Sequence, residues 1–351
     1  MNTMLAARLV KPGEPLRLDE LPVPEPAADE VLVKVAACGL CGTDLHLAVA
    51  GDIPVERLPI TLGHEGAGVV AAVGCDAKSL QEGDRVVLFP AAYCGACRFC
   101  MEGRHSLCDR SRVYGMARDG ALAEYVAAPE RSAIPLPDAV PFEIGAIVTD
   151  GVSTPFHALR SRARLCAGET VAVFGCGGLG THAILLARMM GAARIVAVDI
   201  DPAALERARR LGADFAIDAR DGDAAKAIRA AFGRGADLAL EFVGQPQTVE
   251  AAIRSLDKGG RAVVVGVGPG RPSLPSLMAF VGREQAVLGS FGMDRRDIED
   301  LFALIGAGRL DLSGSISVRY PLAQADAALR HLASKSSAVV RIVVMPGEVP
   351  A

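Results

Sequence analysis

The chain has 351 residues, 51% of them hydrophobic and 22% charged, enough for two globular domains with sizeable cores. Its 37 basic and 41 acidic residues are interspersed and sum to −4, so no basic block marks a nucleic-acid partner and no basic amphipathic helix marks a membrane surface. No run of 18 uncharged apolar residues is present to span a bilayer, and the apolar run at the N-terminus is too short for a signal peptide.

Residues 1–36 predict short strands, with turns at Pro12-Gly13 and from Pro22 to Pro26. Val31, Val33 and Val35 give the clearest strand alternation. No helix-length periodic segment precedes Cys38, so the first third reads as β-rich. Next comes Cys38-Gly39-Leu40-Cys41-Gly42-Thr43-Asp44-Leu45-His46. Cys38 and Cys41 have the spacing to share a metal, but a better-spaced cluster lies downstream, and Cys38 is expected to pack as a small apolar residue. Gly63-His64-Glu65-Gly66 sets an imidazole beside a carboxylate in a glycine-rich turn before a strand. A lone histidine is more often structural. With Cys41 upstream, His64 becomes a candidate ligand.

Cys94, Cys97, Cys100 and Cys108 follow as C-x2-C-x2-C-x7-C. Four thiolates this close can surround one Zn²⁺ with no open position, which makes the site structural. An iron–sulfur cluster and free thiols are the alternatives; four sulfur donors without a redox motif favour zinc. The cysteine total is nine, an odd number, and four of them crowd into fifteen residues. Metal before disulfides, and a reducing cytoplasm, are therefore expected. Gly120 to Val126 reads as a strand closed by Pro129, and the apolar Phe142–Val148 leads into Asp150. The domain boundary is set there: residues 1–150 and 291–351 form one domain, and 151–290 a second in which strands and helices alternate around a parallel sheet.

The second domain opens on TVAVFGCGGLGTHAILLARMMGAARIVAVDIDP, from Thr170 to Pro202. Val171, Val173 and Phe174 predict a strand. Gly175, Gly177 and Gly180, with Gly178 and Leu179 between them, make a G-x-G-x-x-G turn. Leu179, Ala183, Leu186, Ala187 and Met190 then recur at helical spacing. Such a turn lets backbone approach a pyrophosphate at a helix N-terminus. Asp199 ends the next strand, 19 residues after Gly180, where an acid can accept both ribose hydroxyls. It would repel a 2′-phosphate, and Ile200-Asp201 supply no arginine, so NAD is expected rather than NADP. Further strands are predicted at 215–217, 238–242, 262–267 and 286–289. Helices are predicted from Asp201-Pro202 to near Gly212, and near 222–232, 246–257 and 294–307. The six strands suffice for two mononucleotide-binding halves. The loop Gly266-Val267-Gly268-Pro269-Gly270 is placed against the nicotinamide. The last sixty residues, ending in a strand at 339–344, are expected to return to the first domain.

Taken together, Cys41 to His46, Gly63-His64-Glu65, the four-cysteine lobe and the 175–180 loop with Asp199 resemble the zinc-dependent medium-chain alcohol dehydrogenases, in the right order along the whole chain. The resemblance implies an α/β fold: a doubly wound Rossmann sheet plus a β-rich, GroES-like catalytic domain that the chain enters twice, with a cleft between them. It implies that Cys41, His64 and Asp150 hold a catalytic zinc, with Glu65 beside it or as a transient ligand. An Asp stands where some members carry Cys, so the chain departs from the version with two thiolates and an imidazole. Thr43 and His46 would form a proton relay through the cofactor ribose. Thr154 and Val267 would touch the nicotinamide, and Arg341 the pyrophosphate, unless Arg341 is an exposed strand charge. Tyr93, Phe291 and Val267 would wall the substrate pocket, with buried core as the alternative. NAD, one catalytic and one structural zinc per chain, and a homotetramer or homodimer joined through the nucleotide sheets complete the expectation. The implied reaction is reversible oxidation of a primary or secondary alcohol. Polyol or sugar oxidation is the alternative within the family, and a dinucleotide-binding protein without chemistry is the alternative outside it.

Overall fold

The structure, a computed structural model, describes residues 2–334 and 339–347. The chain divides into two units, Met1–Ser153 with Met293–Ala351, and Thr154–Gly292. The first break falls a little beyond residue 150 because helical backbone runs on through Phe142–Ile147, Val148–Val152 and Ser153–His157.

The first unit is built on strand Glu30–Gly39. It pairs antiparallel with Glu65–Val73 and Tyr125–Pro129, and its far end pairs with Arg341–Met345. The helix Phe142–Ile147 packs against it. Val31, Val33 and Val35 enter a core with Leu9, Leu62, Leu122 and Ile342. Cover from several elements is why the strand is buried almost end to end, with no exposed alternate positions after Lys34. The pairing of Val343 with Gly39 and Val344 with Cys38 returns the C-terminal segment to this unit. That segment also holds an unforeseen helix, Ala325–Ala333. Its buried stripe is Ala325, Ala328 and Leu329, so two alanines leave the apolar period faint in the sequence.

The second unit holds six parallel strands: Thr170–Phe174, Arg194–Asp199, Phe215–Asp218, Ala236–Glu241, Leu256–Val264 and Ala286–Gly289. Counted along the chain, their spatial order is 3-2-1-4-5-6, the doubly wound order that reverses beside the first strand. Helix starts are encoded locally. Asp201 accepts from the Ala203 N–H at 3.0 Å ahead of Pro202, and Asp223 accepts from the Ala225 N–H at 2.9 Å. The fifth strand starts earlier than its apolar run suggests and stops at Val264, leaving 265–270 as loop. A short helix, Leu277–Gly282, was not expected, because its apolar residues face outward; Leu277 and Met278 are 78% and 88% exposed. Among the described residues no helix is long and apolar enough to cross a membrane.

Candidate active site

Three backbone segments of the first unit deliver one donor atom each. The turn after Gly39 places Cys41 at the N-cap of the short helix Gly42–Leu45, where the Cys41 N–H donates to Asp44 Oδ2 at 2.8 Å. His64 immediately precedes strand Glu65–Val73, whose first residue lies opposite Gly39. Asp150 comes from the π-helical turn Val148–Val152, a widened geometry frequent at functional sites. The side chains converge: Cys41 Sγ is 3.0 Å, and His64 Nε2 3.5 Å, from Asp150 Oδ2. Together with Glu65, their ligand atoms all lie within 4.8 Å of one another. A thiolate, an imidazole and a carboxylate oxygen fit Zn²⁺ with a position left open.

The surroundings support that fit. Asp44 Oδ1 stands 3.7 Å from His64 Nδ1. Both atoms are buried and lack a hydrogen bond, so a small ring movement would complete the carboxylate–imidazole contact that orients a ligating histidine. Glu65 is fully buried and accepts a hydrogen bond from Arg341 through Oε1. Gly39 makes the room for it, since a Cβ there would lie 2.0 Å from Glu65 Oε2. Burial pushes Glu65 up to about 7, with Arg341 opposing. Burial and then Asp150 raise the Cys41 thiol. At His64, burial disfavours the charged ring, and Asp44, Asp150 and Cys41 outweigh it and raise its pKa well above the ordinary value. A dry group of acids around one imidazole calls for added positive charge, which a divalent cation provides.

Thr43 lies beside this group, with Oγ1 3.8 Å from Cys41 Sγ, and His46 follows it one helical turn later along the chain. His46 begins a second π-helical turn, His46–Ala50. Arg341 is 4% exposed, so it is not a surface strand charge, and its guanidinium donates to Glu65. The cause is steric as well as electrostatic: Gly151 leaves space where a Cβ would lie 2.8 Å from Arg341 Cζ.

Cys94, Cys97, Cys100 and Cys108 also bring their sulfurs within 4.8 Å of one another. Cys94 Sγ accepts from the Ala96 and Cys97 N–H groups at 3.5 and 3.3 Å, and these donors lower the thiol to about 6. Burial pushes Cys100 up to about 12. Thiols that ionise so far apart become uniform thiolates on one cation, which is the fit expected for zinc. The lobe is pinned by Tyr93, whose hydroxyl donates to the Arg131 carbonyl at 2.5 Å and whose ring lies 4.4 Å from that of His105. Tyr93 is therefore buried support for the lobe.

In the second unit each motif glycine has its own reason. Gly175 turns the chain at φ +84°, and a Cβ on Gly180 would lie 1.8 Å from the Gly175 carbonyl oxygen. A Cβ on Gly177 would meet nothing within 4 Å, so that side of the loop is open to an approaching phosphate at the start of helix Gly178–Met189. Asp199 braces the turn: Oδ2 accepts from the Cys176 N–H at 2.6 Å, and Oδ1 from Ile200 and Asp201 at 2.7 and 3.0 Å. Thr154 is buried, whereas Val267 and Phe291 are 61% and 64% exposed.

Two side chains escaped the sequence reading. Asp44 carried a signal, since an acid three residues after an N-cap is a helix-start pattern. Asp52, which hydrogen-bonds His46, carried none.

Residues 27–138 match the family described as Alcohol dehydrogenase GroES-like domain, and residues 178–307 match Zinc-binding dehydrogenase. The chain belongs to the zinc-dependent medium-chain alcohol dehydrogenases. Within that family it is 36% identical to an alcohol dehydrogenase of Geobacillus stearothermophilus, over 88% of this chain and 90% of that one. It is 32% identical to sorbitol dehydrogenase of Bacillus subtilis (strain 168), over 94% of each. A solved structure described as a zinc-binding dehydrogenase, from Sinorhizobium meliloti 1021 and bound to NADP, matches with a TM-score of 0.89 at 31% identity, covering 99% of this chain and 100% of that one. The first unit thus contains the GroES-like domain and the second carries the Rossmann sheet of a zinc-dependent oxidoreductase.

Proposed function

We propose that this dehydrogenase reversibly oxidises primary or secondary alcohols to aldehydes or ketones with NAD, and that Cys41, His64 and Asp150 hold its catalytic zinc. The convergence of those three donors, with Glu65 engaged by Arg341 beside them, carries the reading. Zinc, when bound, supplies Lewis acidity toward an alcohol oxygen, and NAD accepts hydride. Ionised Cys41 and Asp150 balance a divalent charge while His64 stays neutral. Glu65, neutralised by Arg341, adds no net charge to that balance. The Thr43 hydroxyl takes the hydrogen bond of the alcohol, and His46 passes the released proton to water. Thr154 and Val267 face the nicotinamide in this reading, and Phe291 and Val267 the substrate.

Asp199, followed by Ile200 and Asp201 rather than by an arginine, supports NAD over NADP, because its carboxylate would repel a 2′-phosphate. A second zinc in the four-cysteine lobe is part of the proposal. So is the cytoplasm, which the nine free cysteines support. We also take the assembly to be a homotetramer or homodimer joined at the sheet edge Ala286–Gly289, beside the exposed Leu277, Met278 and Val281. The sorbitol dehydrogenase relative favours a second reading, oxidation of polyols or sugars.

A panel of simple alcohols and polyols, mixed with protein and NAD and followed at 340 nm, tests the function. Absorbance should rise with alcohols, and more slowly with NADP in place of NAD. A rise confined to polyols would assign the second reading. Silence across the panel, with zinc and NAD both bound, would leave a binding protein without chemistry.

A further inference from the structure

His46 is held by a contact that the family resemblance does not assign. Its Nδ1 lies 2.9 and 3.1 Å from the two carboxylate oxygens of Asp52. The local backbone builds this pair. The π-helical turn His46–Ala50 ends at Gly51, whose φ of +66° sends the chain back toward the ring. A Cβ on Gly51 would lie 2.9 Å from Pro12 Cβ, and the Gly13 N–H donates to the Ala48 carbonyl at 2.7 Å, so the bend is braced by a second segment. The two side chains are 37% and 44% exposed, where an ion pair contributes little to stability. Such a braced contact at an energetically weak place suits orientation better than folding.

We propose that Asp52 is a positioning residue for proton release: it fixes His46 in the tautomer that can accept the substrate's proton. An ionised carboxylate can only accept, so Nδ1 must carry the ring hydrogen and Nε2 must present its lone pair. Nε2 then takes the proton leaving the alcohol, the ring becomes imidazolium with Nδ1–H still donated to Asp52, and Nε2 gives the same proton to water. The inference rests on the relay reading of His46.

The test compares Asp52→Ala, Asp52→Glu, His46→Ala and the double variant Asp52→Ala/His46→Ala in the zinc-loaded enzyme. Asp52→Ala should lower kcat for alcohol oxidation about 10-fold with the KM for NAD unchanged. Asp52→Glu should recover most of the loss. Imidazole buffer should rescue both alanine variants, and the double variant should be no slower than His46→Ala alone. If Asp52→Ala is fully active while His46→Ala is slow, or if the two losses add, Asp52 does not act through His46. If His46→Ala is itself fully active, the relay reading falls and this inference with it.

Discussion

Glu65 and Arg341 form the most consequential pair of side chains in the first unit. Both are almost completely buried, and each would be costly without the other. Arg341→Met is therefore expected to destabilise the protein by about 3–5 kcal/mol in urea unfolding, because it leaves Glu65 buried without its partner. A loss below about 1 kcal/mol would mean that Glu65 finds another partner or protonates easily. The pair also marks the limit of reading residues from sequence. Cys41 and His64 stood out because each sits in a short motif beside glycines that the strand turns require. The pairing of Arg341 with Glu65 did not, since the two lie 276 positions apart and nothing around Arg341 in the chain announces a buried acid. Tyr93 is similar: the Arg131 carbonyl that accepts from its hydroxyl lies 38 positions away and leaves no local mark in the sequence.

The strand, glycine turn and helix of residues 170–189 show the same division between local and tertiary information. Strand, turn, helix start and the acid at Asp199 were all legible, because each depends on residues within a few positions. The glycines divide the labour in a way that two substitutions separate. Gly180→Ala forces a methyl against the Gly175 carbonyl, where a Cβ would stand at 1.8 Å, so folding of the second unit should suffer. Gly177→Ala meets no protein atom within 4 Å, so the melting temperature should hardly move while the Kd for NAD rises. Thermal unfolding beside NAD titration checks both. Equal loss of stability in the two variants would contradict the reading of Gly177 as the open face of the loop. Elements that were missed, Leu277–Gly282 and Ala325–Ala333, lack a strong apolar stripe: one turns its large side chains outward, the other packs alanines.

At the scale of the molecule, the order of motifs along the chain was enough to reach the family, while the assembly depends on surfaces that sequence order does not describe. If copies meet at the strand Ala286–Gly289, Met278→Asp should shift the mass measured by light scattering toward the monomer, since Met278 is 88% exposed on the helix that leads into that edge strand. An unchanged mass would move the interface elsewhere. The central claim is narrower: one open zinc site made of Cys41, His64 and Asp150 performs the chemistry, separate from a closed site made of four cysteines. Counting zinc per chain by elemental analysis, with alcohol turnover measured on the same samples of wild type and Asp150→Ala, tests it most directly. Asp150→Ala should lose the zinc of the open site and most turnover while the four-cysteine site stays filled. Zinc content and turnover both equal to wild type would contradict the assignment.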